Sequence, residues 1–141
     1  MSSRETGHTK DAGWQIGVSK TVDCPLDVVW DFLTSAEGTA LWLGHGVSVL
    51  DAKGRAYQTR NGVVGETRTF HRHDRIRLTW QPPHWDHDST VQLAVRAGGP
   101  GKTMIRFHQE RLLDAGEREQ QRAHWRAVMA SVVAALDARD A

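Results

Sequence analysis

The stretch from Gln120 to Asp137, QQRAHWRAVMASVVAALD, decides the fold of this chain. Its large apolar side chains recur at the three- and four-residue spacing that stacks side chains on one face of an α-helix. The intervening residues are small or polar and can face elsewhere. The sequence therefore predicts a long amphipathic helix whose apolar face needs a partner surface. The residues of that face are Trp125, Val128, Met129, Val132, Val133 and Leu136.

The region upstream of this helix, from about Val47 to Glu110, is typical of strands and turns. Alternating apolar residues predict strands over 47–50, 55–59, 63–72, 75–81, 90–96 and 102–109. Asn61-Gly62 is a strong turn dipeptide between two of them. Asp114 is a candidate cap for the final helix, with Glu117 three residues later. A β-rich body followed by one amphipathic helix predicts that the helix closes over the sheet.

The region before the strands combines one strand with two short helices. Period-two alternation predicts a strand over 14–23, and Pro25 suits the first turn of the helix that follows. Ser35 is a candidate cap for a second helix over 37–43. We therefore predict an α+β domain spanning residues 12–139. In it a curved antiparallel sheet of about six to seven strands grips the C-terminal helix, and residues 1–11 form a flexible tail.

Composition narrows the class of protein. The 141 residues suit one domain, and a net charge of +1 argues against nucleic-acid binding. The first dozen residues lack the apolar core of a signal peptide, and no apolar run is long enough for a membrane span, so we expect a cytoplasmic protein. Cys24 is the only cysteine, so no intrachain disulfide can form. Six tryptophans suggest a large aromatic core or a lined cavity.

Several motifs in the same order and spacing resemble the START-like, or SRPBCC, superfamily. The resemblance covers about residues 14–138 and is strongest to the branch named after the activator of Hsp90 ATPase. It implies a helix-grip fold with a space between sheet and helix. It also implies a function among lipid binding, polyketide cyclisation and assistance to chaperones. The motifs are VDCPLDVVWDFLT at 22–34, LWLG at 41–44, LTW at 78–80 and TMIRFH at 103–108.

The tryptophans are the main candidates for a ligand cavity. Trp80 shares a strand face with Ile76 and Leu78 and should point toward the helix. Trp42 and Trp85 lie in or beside loops that we expect at the cavity mouth. Plain core packing is the competing interpretation for each tryptophan. The candidate ligand-binding residues are Trp42, Phe70, Trp80, Trp85, Phe107, His108, Trp125 and Met129.

The histidines give a weaker signal. Strict alternation would place His108 outside if Ile105 and Phe107 pack on the helix, but a bulge would turn it into the cavity. The pair His71 and His73 is crowded by arginines, and the spacing of the histidines matches no metal motif. No second catalytic group stands at a fixed spacing from His108. We therefore assign no metal, no cofactor and no catalytic residue.

These residues and the family resemblance suggest three functions. The leading hypothesis is a module that binds a hydrophobic small molecule, lipid-like or polyketide-like, between the sheet and the C-terminal helix. The second is an enzyme of the polyketide cyclase or aromatase type, which needs polar groups inside the cavity. The third is a co-chaperone-like module that stimulates an Hsp90-type ATPase. A chaperone or a second copy of the chain is accordingly the alternative partner to a small molecule.

Overall fold

The computed structural model describes residues 8–9, 13–47 and 51–140. This part of the chain forms seven strands and three helices. The strands are β1 (His8–Thr9), β2 (Gly13–Val22), β3 (Ala56–Gln58), β4 (Val64–His71), β5 (Arg75–Trp80), β6 (Ser89–Ala97) and β7 (Thr103–Leu112). The helices are α1 (Leu26–Thr34), α2 (Ala36–Trp42) and α3 (Ala115–Asp140).

All seven strands belong to one antiparallel sheet in the order β1-β2-β7-β6-β5-β4-β3. The first long strand, β2, therefore lies beside the last one, β7. The predicted α+β helix-grip fold is confirmed. Most of the predicted N-terminal tail lies outside the described residues, but His8–Thr9 pairs with β2. The predicted strand at 47–50 also falls largely outside them.

Helix α3 begins at a capping arrangement that the sequence predicts. The backbone N–H of Glu117 donates to Asp114 Oδ1 at 2.8 Å, and Glu117 Oε1 accepts from the backbone N–H of Leu113 at 2.9 Å. The helix packs against β2, β7 and α2. Its predicted apolar face is confirmed, because five of the six residues are buried and Val133 is half-buried.

Helices α1 and α2 form a tight wedge at one end of the sheet. Ser35 Oγ caps α2 by accepting from the backbone N–H of Gly38 at 3.1 Å. A Cβ on Gly38 would lie 1.9 Å from the carbonyl oxygen of Phe32, so only glycine allows the helices to approach this closely. Trp42 Nε1 donates to the carbonyl oxygen of Leu33 at 2.8 Å and locks the end of α2 onto α1.

A bulge near the end of β7 sets which of its residues face α3. Trp14 pairs with Leu112 while Ile16 pairs with Gln109, so one extra residue lies on β7. Arg111 has φ 65° at this point. As a result Gln109 and Leu112 are both buried, although they are an odd number of residues apart.

Candidate functional site

An aromatic core lies between α3 and the sheet. Phe107 stacks on Trp125 with ring centroids 5.1 Å apart, and Trp42 lies 6.2 Å from Phe107. Trp80 approaches Trp125 at 6.5 Å. All four residues are buried. These four predicted cavity residues therefore contact one another in this core.

A buried polar cluster, which sequence reasoning missed, crosses this core. Gln109 is 0% exposed, and its Oε1 accepts from Trp125 Nε1 at 2.8 Å and from Gln121 Nε2 at 2.9 Å. Gln109 Nε2 donates to Ser89 Oγ at 2.8 Å. Ser89 Oγ donates in turn to the carbonyl oxygen of Trp80 at 2.8 Å. The cluster ties α3 to three strands, and its members satisfy one another.

The other predicted site residues are spread over the molecule. Phe70 is half-buried and makes an edge contact with Trp30 of α1 at 5.7 Å. Met129 is buried on α3 and lines a groove of about 480 Å³ between α3 and β2 together with Val18 and Val133.

His108 faces the outer side of the sheet, so the inward turn considered for it does not occur. The bulge lies after it on β7, and the alternation up to Gln109 stays regular. His108 Nε2 donates to Gln15 Oε1 at 2.9 Å. Partial burial, helped by the nearby charges of Arg106 and Arg77 and opposed by Glu110, lowers the pKa of His108.

An open groove lies where α2 ends. It has a volume of about 370 Å³ and is bounded by the end of α2, the turn between β3 and β4, and one turn of α3. We call it the α2 groove. Leu41, Trp42 and Leu43 supply its apolar part. Its lining residues are Ala40, Leu41, Trp42, Leu43, Gly44, His45, Arg60, Asn61 and His124.

The backbone around the α2 groove is held by close contacts. The N–H of Arg60 donates to the carbonyl oxygen of His45 at 2.7 Å and joins the two loops that form the rim. Gly44 has φ 143°, and a Cβ there would lie 2.8 Å from Thr59 Cγ2. Glycine at this position therefore allows the end of α2 to approach the β3–β4 turn.

His124 connects the α2 groove to the aromatic core. Its ring lies 4.8 Å from that of Trp125 and 6.0 Å from that of Trp80, and the residue as a whole is exposed. Burial against these rings lowers the pKa of His124. At neutral pH its imidazole is therefore uncharged and offers one N–H donor and one nitrogen acceptor.

The loop after β5 places Trp85 beside this region. Trp85 makes an edge contact with Trp80 at 5.3 Å and stacks on His87 at 4.8 Å. His87 Nε2 lies 3.0 Å from Glu117 Oε1, so the loop is tied to the start of α3. Burial acts to lower the pKa of His87, but the hydrogen bonds to Glu117 and a backbone carbonyl, with nearby acidic charges, raise it overall.

The described residues lack both a metal-binding cluster and a membrane-spanning helix. They contain no group of three or more His, Cys, Asp or Glu side chains placed to hold a metal ion. None of the helices among them has the length and apolar character needed to cross a membrane.

Several solved structures have a similar fold. DynU16, from the dynemicin biosynthetic locus, superposes with a TM-score of 0.75 at 20% identity, over 87% of this chain and 47% of DynU16. The chain thus spans about half of the length of DynU16. PFC0360w, an Hsp90 activator from Plasmodium falciparum, gives a TM-score of 0.67 at 17% identity, over 79% of this chain and 86% of that one. The Aha1 dimer from Colwellia psychrerythraea gives a TM-score of 0.69 at 10% identity, over 86% of this chain and 95% of that one.

The sequence itself matches a family model. A comparison of the sequence with curated proteins found no match. The model for the Activator of Hsp90 ATPase homolog 1-like protein matches residues 23–137, which include both short helices, strands β3 to β7 and most of α3. The resemblance to this branch of the START-like superfamily is therefore confirmed. The chain belongs to the family of Activator of Hsp90 ATPase homolog 1-like proteins.

Proposed function

We propose that this protein binds a hydrophobic small molecule, and that the molecule lies in the α2 groove. The observation that carries the proposal is an open groove of about 370 Å³ whose apolar part, Leu41 to Leu43, adjoins the aromatic core. Small-molecule sites in proteins are commonly concave, mostly apolar and of this order of size. The cytoplasmic location expected from the sequence remains a prediction.

The buried polar cluster favours binding over catalysis. Gln109 carries no titratable group, and the hydroxyl of Ser89 donates to a backbone carbonyl. A serine nucleophile needs an adjacent general base, and in the described residues no histidine or carboxylate is hydrogen-bonded to Ser89. The cyclase or aromatase alternative rests on His124, the titratable side chain that contacts both Trp80 and Trp125.

A co-chaperone role is the second candidate function. It is favoured by the family match and by the likeness of the fold to PFC0360w, an Hsp90 activator. This role would require an outer surface that binds a partner protein, instead of a groove that binds a small molecule. Co-sedimentation with a purified Hsp90-type ATPase, and a rise in its ATP hydrolysis, would support it.

The ligand proposal is tested with a library of long-chain fatty acids and flat aromatic compounds. We expect binding to shift the tryptophan fluorescence and to raise the melting temperature, since Trp42 lines the groove and Trp80 lies close to it. Leu41→Gln places an amide in the apolar part of the groove and should weaken binding about tenfold, as expected from losing the burial of one leucine.

Val133→Gln is the matched control, because Val133 is also half-buried but lines the groove between α3 and β2. We expect it to bind like the unmodified protein. Loss of binding in Val133→Gln with retention in Leu41→Gln would move the ligand to that other groove. No fluorescence change and no thermal stabilisation by any compound would contradict the ligand hypothesis.

A further inference from the structure

We propose that the ligand of the α2 groove carries an anionic oxygen group, such as a carboxylate or phosphate, which Arg60 binds at the rim. The inference rests on the proposed function and narrows its ligand class. The observation behind it is the one-sided chemistry of the lining. Its charged side chain is the cation of Arg60, and its other polar side chains are those of His45, Asn61 and His124. None of the nine lining residues is an aspartate or glutamate.

Arg60 is available to an added anion. Within the described residues no carboxylate forms a salt bridge with it, and its side chain is exposed. A guanidinium group presents several N–H donors in a planar fork that matches a carboxylate or a phosphate. An ammonium ligand would meet repulsion here and would find no carboxylate on the rim.

The backbone beneath Arg60 is fixed before a ligand arrives. Its N–H donates to the carbonyl oxygen of His45, and the preceding residue, Thr59, donates its hydroxyl to Asn61 Oδ1 at 2.6 Å. The same hydroxyl accepts from the N–H of Val63 at 3.0 Å. The turn that carries Arg60 is therefore ordered on both sides. Binding an anion at Arg60 therefore costs less ordering entropy than it would on a flexible loop, because the backbone is already fixed.

His124 extends the same preference toward the aromatic core. Because the pKa of His124 is lowered, its imidazole is neutral and offers a single N–H donor. That N–H would donate to a second oxygen of an anionic group, while Leu41 and Trp42 contact the apolar body. The groove thus combines an apolar part with a donor-rich rim, the arrangement that suits an amphipathic acid.

The experiment compares three naphthyl compounds that share one apolar body. They are 1-naphthaleneacetic acid, its methyl ester and 2-(1-naphthyl)ethylamine, with 1-naphthyl phosphate added to separate carboxylate from phosphate. Calorimetry on the full chain should show the acid or the phosphate binding about tenfold more tightly than the ester, as expected for a hydrogen bond to a charged group. The preference should shrink as salt concentration rises.

Arg60→Gln should reduce the affinity for the acid to that for the ester and leave ester binding unchanged. Arg126→Gln is the matched control, because it removes the same charge from an exposed arginine of α3 outside the α2 groove. Equal binding of acid and ester, or equal losses in the two variants, would overturn the anionic ligand while leaving the binding function intact. If neither these compounds nor any member of the fatty acid and aromatic library binds, both proposals fail.

Discussion

Two adjacent residues of β7, His108 and Gln109, have opposite environments. Gln109 faces α3, is fully buried and hydrogen-bonds to Trp125, Gln121 and Ser89. His108 faces outward, is half-buried and hydrogen-bonds to Gln15. The difference shows that the polar side chain on the inner side is used in hydrogen bonds that hold α3 in place. An open groove lies at the end of α2, beside the aromatic core.

The outer face of the sheet carries much of its charge in pairs. Arg77 forms a salt bridge with Glu110, and Arg68 lies 2.8 Å from Glu66. A solvent-exposed pair such as Arg68–Glu66 contributes little, about 0–1 kcal/mol. Substitutions on the inner side should therefore cost several times more than matched substitutions on the outer side.

The largest expected effect is that of a charge placed under α3. Val132 is 0% exposed on the inner side of the helix, so Val132→Asp would bury a carboxylate without a partner. We expect a loss of at least about 3 kcal/mol in the free energy of unfolding, measured by urea denaturation with circular dichroism. Ser131→Asp, one residue earlier and exposed, should change it by less than about 0.5 kcal/mol. Similar losses in both variants would contradict the packing of this helix face.

The second effect concerns the polar cluster. Gln109→Leu leaves the indole N–H of Trp125 and the side-chain amide of Gln121 without their acceptor. Each lost partner costs about 1–3 kcal/mol, so we expect a loss of roughly 2–4 kcal/mol after the gain from burying leucine. Gln92→Leu makes the same change on the outer face of β6, opposite His108, and should be nearly neutral. Equal stabilities of the two variants would mean that the cluster does not hold α3.

The sequence predicted most of the fold because its signals are local. Ser35 caps α2 through a residue three positions away, and Asp114 does the same for α3. The spacing of apolar residues identified the buried face of α3 within one segment. Strand ends were less accurate, since β7 continues to Leu112 beyond the predicted end at 109. The bulge at Arg111 that permits this continuation depends on the register against β2.

The candidate site was harder to predict because its parts lie far apart in the sequence. The α2 groove joins residues 40–45, 60–61 and 124, and no local pattern links them. Arg60 precedes Asn61-Gly62, which indicates only a turn. Gln109 has the strand parity of Ile105 and Phe107, and that parity was a usable signal for an inward position. Its polarity suggested the opposite, because the partners that compensate its burial come from β6 and α3.

The smallest expected effect is a change in pH dependence at His108. Its pKa is lowered in the folded state, so the unfolded chain binds a proton more readily. The contribution of His108 is therefore fully present above the unfolded pKa of about 6.5 and is lost as the pH falls. We expect His108→Gln to differ by less than about 1 kcal/mol at pH 7.5 and to gain relative stability toward pH 5.5.

His87 provides a contrast of opposite sign. Its pKa is raised by the contact with Glu117, so its contribution is full below the unfolded pKa and is lost as the pH rises through the folded pKa. His87→Gln should therefore show its largest deficit at acidic pH, whereas His108→Gln shows its smallest there. Urea unfolding curves of both variants from pH 5.5 to 8.5 distinguish the two pH dependences of stability.

Because His108 lies on the outer face, its replacement should also leave ligand affinity unchanged. A weakened affinity would place the ligand on that face instead of in the α2 groove.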